Sequence, residues 1–213
     1  MVKSEWRESF FRRGFVKLSP IMDARGGDAH RAHLLGAVSG TVVEVGAGTG
    51  TSFRHYGAAV DSVVAVEPDA ELRAIAETAA RSADATITVT DGTAETLPVA
   101  SGSCDWVVCS LVLCTVPDQR AAFAEFARVL RPGGRLAFYE HVRSNHPVIA
   151  TMQDALTPAW SALAGGCHPN RDTLAAITSA GFEIESVDRF GFSPHPAAPA
   201  FAHISGTARL GSA

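Results

Sequence analysis

Residues 40–142 alternate short apolar runs with amphipathic segments, and this alternation predicts a sheet covered by helices. Five runs rich in β-branched and aromatic residues have the pattern of buried strands: 40–47, 61–68, 85–92, 103–113 and 134–142. The intervening segments 69–83 and 118–131 have helical spacing, and the second places Phe123 and Phe126 on one face. Apolar strands that alternate with helices are typical of a parallel sheet. We therefore expect an α/β fold with a doubly wound, Rossmann-like sheet and helices on both faces.

The rhythm changes after Val142. Residues 143–170 contain several prolines and a glycine pair, which predicts an irregular insertion over the edge of the sheet. Residues 171–182 predict a short helix that ends at Gly181. The last two apolar runs, which we expect to be antiparallel neighbouring strands, span 183–190 and 200–210.

Composition narrows the class of protein. The chain has 213 residues, of which 46% are hydrophobic and 19% charged, which suits one compact domain. A net charge of −4 predicts no basic face, so nucleic acid is not an expected partner. No apolar run approaches the roughly 20 residues that cross a bilayer, and the charged N-terminus does not resemble a signal peptide. We therefore expect no transmembrane segment and a cytoplasmic location, while the oligomeric state is open.

Four cysteines occur without a C-x-x-C pair: Cys104, Cys109, Cys114 and Cys167. This spacing argues against a zinc knuckle, and the expected reducing compartment favours free thiols. A set formed by His141, His146 and His168 also lacks the spacing of metal ligands. No metal is therefore predicted.

The loop after the first predicted strand carries the most specific signal. Gly46, Gly48 and Gly50 allow positive φ angles and let the backbone approach a ligand closely. A dinucleotide site has the spacing G-x-G-x-x-G/A, whereas here the spacing is G-x-G-x-G and Thr51 follows. The carboxylate of Glu44 would also repel a pyrophosphate. Both features disfavour an NAD-dependent oxidoreductase.

Two acids define the ligand further. Glu44 would suit a ligand with an ammonium group, although a buried acid that caps the loop is the structural alternative. Glu67 ends the second strand, where a carboxylate can accept both hydroxyls of a ribose. Together these residues predict a nucleoside with a positively charged tail and no phosphates, a description that fits S-adenosylmethionine.

The ordered set of Glu44, the three glycines and Glu67 resembles the class I S-adenosylmethionine-dependent methyltransferases. The resemblance continues through "GTAETLP", "CDWVVCSLVL" and "LRPGGRLAF" and covers about residues 40–142. It implies a seven-stranded sheet, S-adenosylmethionine as cofactor and S-adenosylhomocysteine as product. It also implies that the glycines pass under the methionine part and that Glu67 binds the ribose.

The same resemblance implies further cofactor contacts. Pro68, Thr93 and Ala94 would lie beside the adenine, and Ser110 and Leu111 would face the methyl group. Many relatives have Asp where Thr93 stands, so the contact with the adenine amino group is open here. Asp91 is near enough in sequence to replace it.

The second half of the chain resembles a narrower family. The stretches "CSLVLCTVPDQ", "YEHV", "LTPAWSALAGGC" and "AHISGTA" are similar to the methyltransferase-like seven family, the alkyl thiol S-methyltransferases. This resemblance implies a small-molecule thiol as the methyl acceptor. A C-, N- or O-methyltransferase of a quinone, lipid or secondary metabolite is the alternative, and "GTAETLP" resembles those enzymes. A non-catalytic protein that binds S-adenosylmethionine stays open.

Thiol methylation needs a thiolate, and a free thiol has a pKa near 8.5. His141, at the end of the fifth strand, and His203, in the last strand, are the candidate catalytic residues. Glu140 is not expected to orient His141, because neighbours on a strand face opposite sides. Cys114 and Cys167 are candidate pocket residues, with core packing as the alternative.

These predictions divide the single domain into four parts. Lid helices are expected over residues 1–39 and the cofactor-binding core over 40–142. An insertion that covers the substrate is expected over 143–170, followed by a C-terminal helix and strands over 171–213.

Overall fold

The computed structural model describes the backbone of residues 2–193 and 200–211, and side chains from residue 11 onward. The described residues form one sheet whose strands are β1 (Gly40–Val45), β2 (Val60–Val66), β3 (Ile87–Thr90), β4 (Cys104–Ser110), β5 (Leu130–His141), β6 (Phe182–Phe192) and β7 (Phe201–Leu210). The order across the sheet is β3-β2-β1-β4-β5-β7-β6. Strands β1 to β5 are parallel, and β7 is antiparallel to both β5 and β6. The predicted doubly wound, seven-stranded sheet is confirmed.

The described helices are α1 (Val2–Met22), α2 (Asp28–Leu35), α3 (Ala70–Ala80), α4 (Gln119–Val129), α5 (Pro147–Leu163) and α6 (Thr173–Ser179). Three of them begin after an aspartate whose carboxylate accepts backbone N–H groups of the first turn: Asp69, Asp118 and Asp172. Such caps replace bonds that the first turn of a helix cannot make within itself. None of the described helices combines the length and apolar character needed to cross a bilayer.

Successive residues of the central strands face opposite sides of the sheet and build two apolar layers. Val43 packs in one layer with Phe123 and Phe126 of α4. Val42 packs in the other with Leu35 of α2. This alternation explains why the strands are apolar on both faces, and it covers both faces with helices as predicted.

The prediction of an irregular stretch over residues 143–170 is wrong in its centre, where α5 is a regular helix of 17 residues. Pro147 occupies the first turn, where the missing N–H group costs nothing. Pro158 lies inside the helix without ending it. The proline content of this segment was therefore a poor guide to its structure.

The glycine-containing run 131–134 lies within β5 and interrupts its pairing with β4. Cys104 of β4 pairs with Leu130, and Trp106 pairs with Arg135, so the run forms a bulge inside β5. Gly133 has a φ of 75°, which is common for glycine in a bulge. A residue with a side chain would be strained at this angle. The helix itself ends at Val129.

Candidate active site

The glycine loop lies at the carboxyl end of β1, where ligands bind in open α/β sheets. Gly46, Gly48 and Gly50 have φ angles of 66°, 57° and 77°. A Cβ atom at Gly46 or Gly50 would lie 2.6 Å from a side chain of the neighbouring loop or helical turn. At Gly48 the nearest atoms belong to the ring of Phe15 in α1, at 3.2 Å. Packing within the chain therefore requires two of the glycines, whereas Gly48 faces a side chain that can move.

Glu67 is held in place by the glycine loop. Its carboxylate accepts the backbone N–H of Gly48 at 2.8 Å and that of Asp69 at 2.9 Å, one on each oxygen. The side chain is buried, and this burial raises the pKa of its carboxyl group. Each oxygen keeps a second lone pair, so Glu67 can accept two further hydrogen bonds. The arrangement fits a ligand with two adjacent hydroxyls.

Helix α1 lies against this loop. Arg12 donates to Asp69 at 2.7 Å and to Glu71 at 2.5 Å, which fastens the helix beside Glu67. The ring of Phe15 faces Gly48 and stacks on a neighbouring phenylalanine of the same helix. Sequence reasoning missed Arg12 because its partners are 57 and 59 residues away.

Glu44 lies beneath the loop and is 2% exposed. The hydroxyl of Tyr56 donates to its Oε2 at 2.7 Å, and Ser52 also hydrogen-bonds to the carboxylate. Burial raises the pKa of Glu44 to about 7, although these hydrogen bonds and the charge of Arg31 act in the other direction. The described hydrogen bonds of the Glu44 carboxylate are thus made with other side chains of the protein.

The predicted adenine side lies at the ends of β2 and β3. Thr93 is exposed and Ala94 is buried. Arg73 donates to the carboxylate of Asp91 at 2.9 Å and to the carbonyl of Pro68 at 3.1 Å. Arg73, which the sequence analysis did not single out, therefore ties the two strand ends together and occupies the carboxylate of Asp91.

Ser110 ends β4 and Leu111 follows it, and both are half-buried. Leu111 has a φ of 61°, which costs free energy for a residue with a branched side chain. Beyond it, the carboxylate of Glu140 accepts the backbone N–H groups of residues 112–114 at 2.8 to 3.0 Å. Glu140 is fully buried, and burial raises its pKa to about 7 against these bonds. Its carboxylate thus holds this loop, and, as expected, its described hydrogen bonds do not include His141.

The two predicted catalytic histidines lie side by side. His141 of β5 pairs directly with His203 of β7, and their ring centroids are 4.4 Å apart. Nδ1 of His203 lies 2.9 Å from the carbonyl of Phe201, so a proton there would be donated to it. Burial lowers the pKa of His203 to about 3, which keeps the ring neutral. Tyr139 and Phe190 pack around it and make this corner aromatic.

Two cysteines complete the corner. Nδ1 of His141 lies 3.5 Å from Sγ of Cys114 and 3.7 Å from Sγ of Cys167, and the two sulfurs are 3.6 Å apart. The contact between the thiols lowers the pKa of Cys167 and raises that of Cys114. The sequence analysis named each residue separately, but separations of 27 and 26 residues carry no recognisable spacing.

Comparisons with known proteins agree with the fold described above. Residues 43–138 match the family described as "Methyltransferase domain". A solved SAM-dependent methyltransferase of Thermotoga maritima aligns with a TM-score of 0.71 and 20% identity, over 95% of this chain and 99% of that one. The YcgJ protein of Bacillus subtilis aligns with a TM-score of 0.67 and 18% identity, over 85% and 99% of the two chains. Residues 43–138 thus carry a methyltransferase domain, and the chain has the fold of the solved S-adenosylmethionine-dependent methyltransferases.

Curated proteins give a narrower likeness. Thiol S-methyltransferase TMT1A of Homo sapiens is 34% identical over 148 residues, which are 67% of this chain and 59% of that protein. Thiol S-methyltransferase TMT1B of Homo sapiens is 40% identical over 113 residues, 52% of this chain and 45% of that protein. The ubiquinone/menaquinone biosynthesis C-methyltransferase UbiE of Syntrophotalea carbinolica is 30% identical over 118 residues, 54% and 50% of the two chains. The chain thus spans about half to three fifths of the length of these relatives.

Proposed function

We propose that this protein transfers the methyl group of S-adenosylmethionine to a small-molecule thiol. The observation that carries the proposal is the 34% identity to a thiol S-methyltransferase over 148 residues. Bound S-adenosylmethionine supplies an electrophilic methyl group on a positively charged sulfur. The protein therefore has mainly to align the acceptor and to exclude water.

The cofactor roles belong to this proposal. Glu67 accepts the ribose hydroxyls, which its anchored carboxylate and spare lone pairs support. Gly46, Gly48 and Gly50 pass under the methionine part, which their positive φ angles support. Glu44 bonds to Tyr56 and Ser52, so we assign it the support of the loop, and a direct contact with an ammonium group remains a prediction.

On the other side of the site, Pro68, Thr93 and Ala94 are proposed to line the adenine. Ser110 and Leu111 are proposed to line the space beside the methyl group. The positive φ of Leu111 supports a functional role, because such strain persists where the surroundings fix it.

The aromatic corner is the proposed acceptor site. His141 is the better candidate base, because the low pKa of His203 makes that ring a poor proton acceptor. His203 then shapes the pocket. Helices α1 and α5 are proposed to form its cover, which the contact of the Trp160 ring of α5 with Phe201 beside His141 supports. We also propose a cytoplasmic location, which the four free cysteines support.

A direct test uses the purified chain, S-adenosylmethionine labelled in its methyl group, and equal amounts of alkyl thiols, phenols, amines and a quinol. Mass spectrometry of the products identifies the labelled atom. We expect label on sulfur. Label on a ring carbon of the quinol would favour the UbiE-like alternative, and label on oxygen or nitrogen would equally contradict the thiol assignment. Cofactor binding without any labelled product would contradict the proposed activity.

A further inference from the structure

The group formed by Cys114, His141 and Cys167 has a geometry that ordinary packing does not require. It offers two thiol sulfurs and one ring nitrogen, all mutually within 3.5 to 3.7 Å. Both cysteines are buried, and His141 is half-buried. Soft sulfur and imidazole ligands select zinc over magnesium or calcium.

The three distances match one face of a zinc tetrahedron. With Zn–S bonds of about 2.3 Å and Zn–N bonds of about 2.0 to 2.1 Å, tetrahedral angles put two sulfurs about 3.8 Å apart and a sulfur and a nitrogen about 3.6 Å apart. The observed separations are 3.6 Å for the two sulfurs and 3.5 and 3.7 Å for each sulfur and Nδ1. A cation can therefore enter the group with side-chain shifts of a few tenths of an ångström.

The backbone around the group is also fixed. The N–H of Cys114 donates to the buried carboxylate of Glu140, and its carbonyl accepts the N–H of His168 at 2.7 Å. Cys167 donates its own backbone N–H to Ala164 at the end of α5. Bonds of this kind orient metal ligands before the ion arrives.

We propose that Cys114, His141 and Cys167 bind one Zn²⁺ ion and leave its fourth position to the sulfur of the acceptor thiol. Three protein ligands with an open fourth position are typical of catalytic zinc sites, whereas structural sites are closed by four. The second part of this inference rests on the proposed function; the first does not. No metal was expected from the sequence, because these three residues are too far apart along the chain to form a recognisable ligand motif.

The step that follows balances. In the zinc-bound protein His141 is a metal ligand, which replaces its proposed role as a base. The acceptor thiol therefore binds to the ion and releases its proton to solvent. The electron pair of the bound thiolate sulfur forms the new bond to the methyl carbon, and the bond from that carbon to the sulfonium sulfur breaks. Its electron pair stays on the leaving S-adenosylhomocysteine. The ion thus keeps the acceptor sulfur ionised at neutral pH, where a free thiol is mostly protonated.

The first test is binding of the metal alone, without cofactor or acceptor. We expect one zinc ion per chain by elemental analysis of the reduced protein. X-ray absorption should show two sulfurs at about 2.3 Å and one nitrogen at about 2.0 Å. Cobalt(II) used as a probe should give the charge-transfer absorption of thiolate ligands. Reduced, folded protein that binds neither ion would overturn the site.

Variants locate the ligands. Cys114→Ala, Cys167→Ala and His141→Ala should each weaken zinc binding by more than about 100-fold. Loss of a residue that only supports a metal ligand weakens binding by up to about 100-fold, so a larger effect identifies a ligand. Cys104→Ala is the matched control, because Cys104 is a buried cysteine of β4 outside the group. Circular dichroism confirms that each variant is folded. Equal zinc affinity in the control and in the ligand variants would refute the assignment.

Assays of thiol methylation test the role of the ion in the reaction separately from zinc binding itself. Removal of the ion by a chelator should abolish thiol methylation, leave binding of S-adenosylhomocysteine unchanged, and be reversed by added Zn²⁺. Full thiol methylation by the metal-free chain would remove the ion from the reaction while the proposed function stands. Zinc binding in a chain that methylates only oxygen, nitrogen or carbon would keep the site and refute both its role with a thiol and the proposed acceptor.

Discussion

Glu67 shows how one residue joins two parts of the site. Its carboxylate accepts N–H groups from the glycine loop and from the residue that begins α3. The same oxygens are proposed to accept the ribose hydroxyls. The residue was found from the sequence because it ends a strand at a fixed position after the glycine loop. Its anchoring by Gly48 and Asp69 could not be found in that way, because it depends on how the loop folds back.

We expect Glu67→Ala to weaken binding of S-adenosylhomocysteine by about 1.5–3 kcal/mol, the range for hydrogen bonds to a charged group. Calorimetric titration measures this loss as roughly a 10- to 100-fold rise in Kd. Glu77→Ala, an exposed acid on α3, is the control and should leave Kd unchanged. An unchanged Kd in the folded Glu67 variant would disprove the ribose assignment.

At the scale of elements, α1 is the part that brings a distant segment to the cofactor loop. Arg12 and Phe15 both touch the loop region, one through Asp69 and one over Gly48. The sequence analysis expected lid helices there but could not say which residues hold them. Ion pairs across such distances along the chain leave no periodic signal. The interior of α5 was misjudged for the opposite reason, since local proline content was given more weight than helix-compatible neighbours.

Arg12→Ala should loosen α1 and speed the release of S-adenosylhomocysteine. Exposed ion pairs contribute up to about 1 kcal/mol, so the rate should rise by no more than about fivefold. Stopped-flow displacement measures the rate directly. Arg13→Ala is the matched control, because Arg13 is the exposed neighbour on the same helix. Equal rates in both variants would show that the ion pair with Asp69 does not hold the cover.

At the scale of the whole molecule, burial raises the pKa values of the carboxyl groups of Glu44 and Glu140 to about 7. Between pH 4.5 and 7 the folded chain holds protons that the unfolded chain has lost. The contribution of each acid to stability therefore falls as pH rises through this window. His203 acts in the opposite direction between pH 3 and 6.5, because only the unfolded chain binds that proton.

Glu44→Gln should remove part of this pH dependence. The difference in unfolding free energy between wild type and variant should shift in favour of the variant by up to about 3 kcal/mol from pH 4.5 to pH 8. Urea denaturation at several pH values measures it, and the comparison cancels the contributions of Glu140 and His203. Glu77→Gln controls for the loss of an exposed acid. A difference that stays constant with pH would show that Glu44 does not titrate in this window.

The doubly wound sheet was predictable because it follows from apolar periodicity and from the handedness of crossovers, which act along the whole chain. The antiparallel pairing of β6 with β7 was expected from the final two apolar runs, but the position of β7 between β5 and β6 was not. The group of Cys114, His141 and Cys167 was not predictable, because it needs the end of β5, the loop after β4 and the end of α5 to meet. Regular hydrophobic patterns predict the architecture. The chemistry of the site depends on contacts between loops and the ends of strands and helices, which leave no regular pattern in the sequence.

The position of α1 over the glycine loop has a further consequence for turnover. A molecule that enters or leaves beneath Phe15 must wait for the N-terminal helix to lift. The frequency of that opening sets a ceiling on the number of catalytic cycles per second, however fast the methyl group moves. Where opening is slower than methyl transfer, a faster chemical step leaves kcat unchanged and a looser N-terminus raises it.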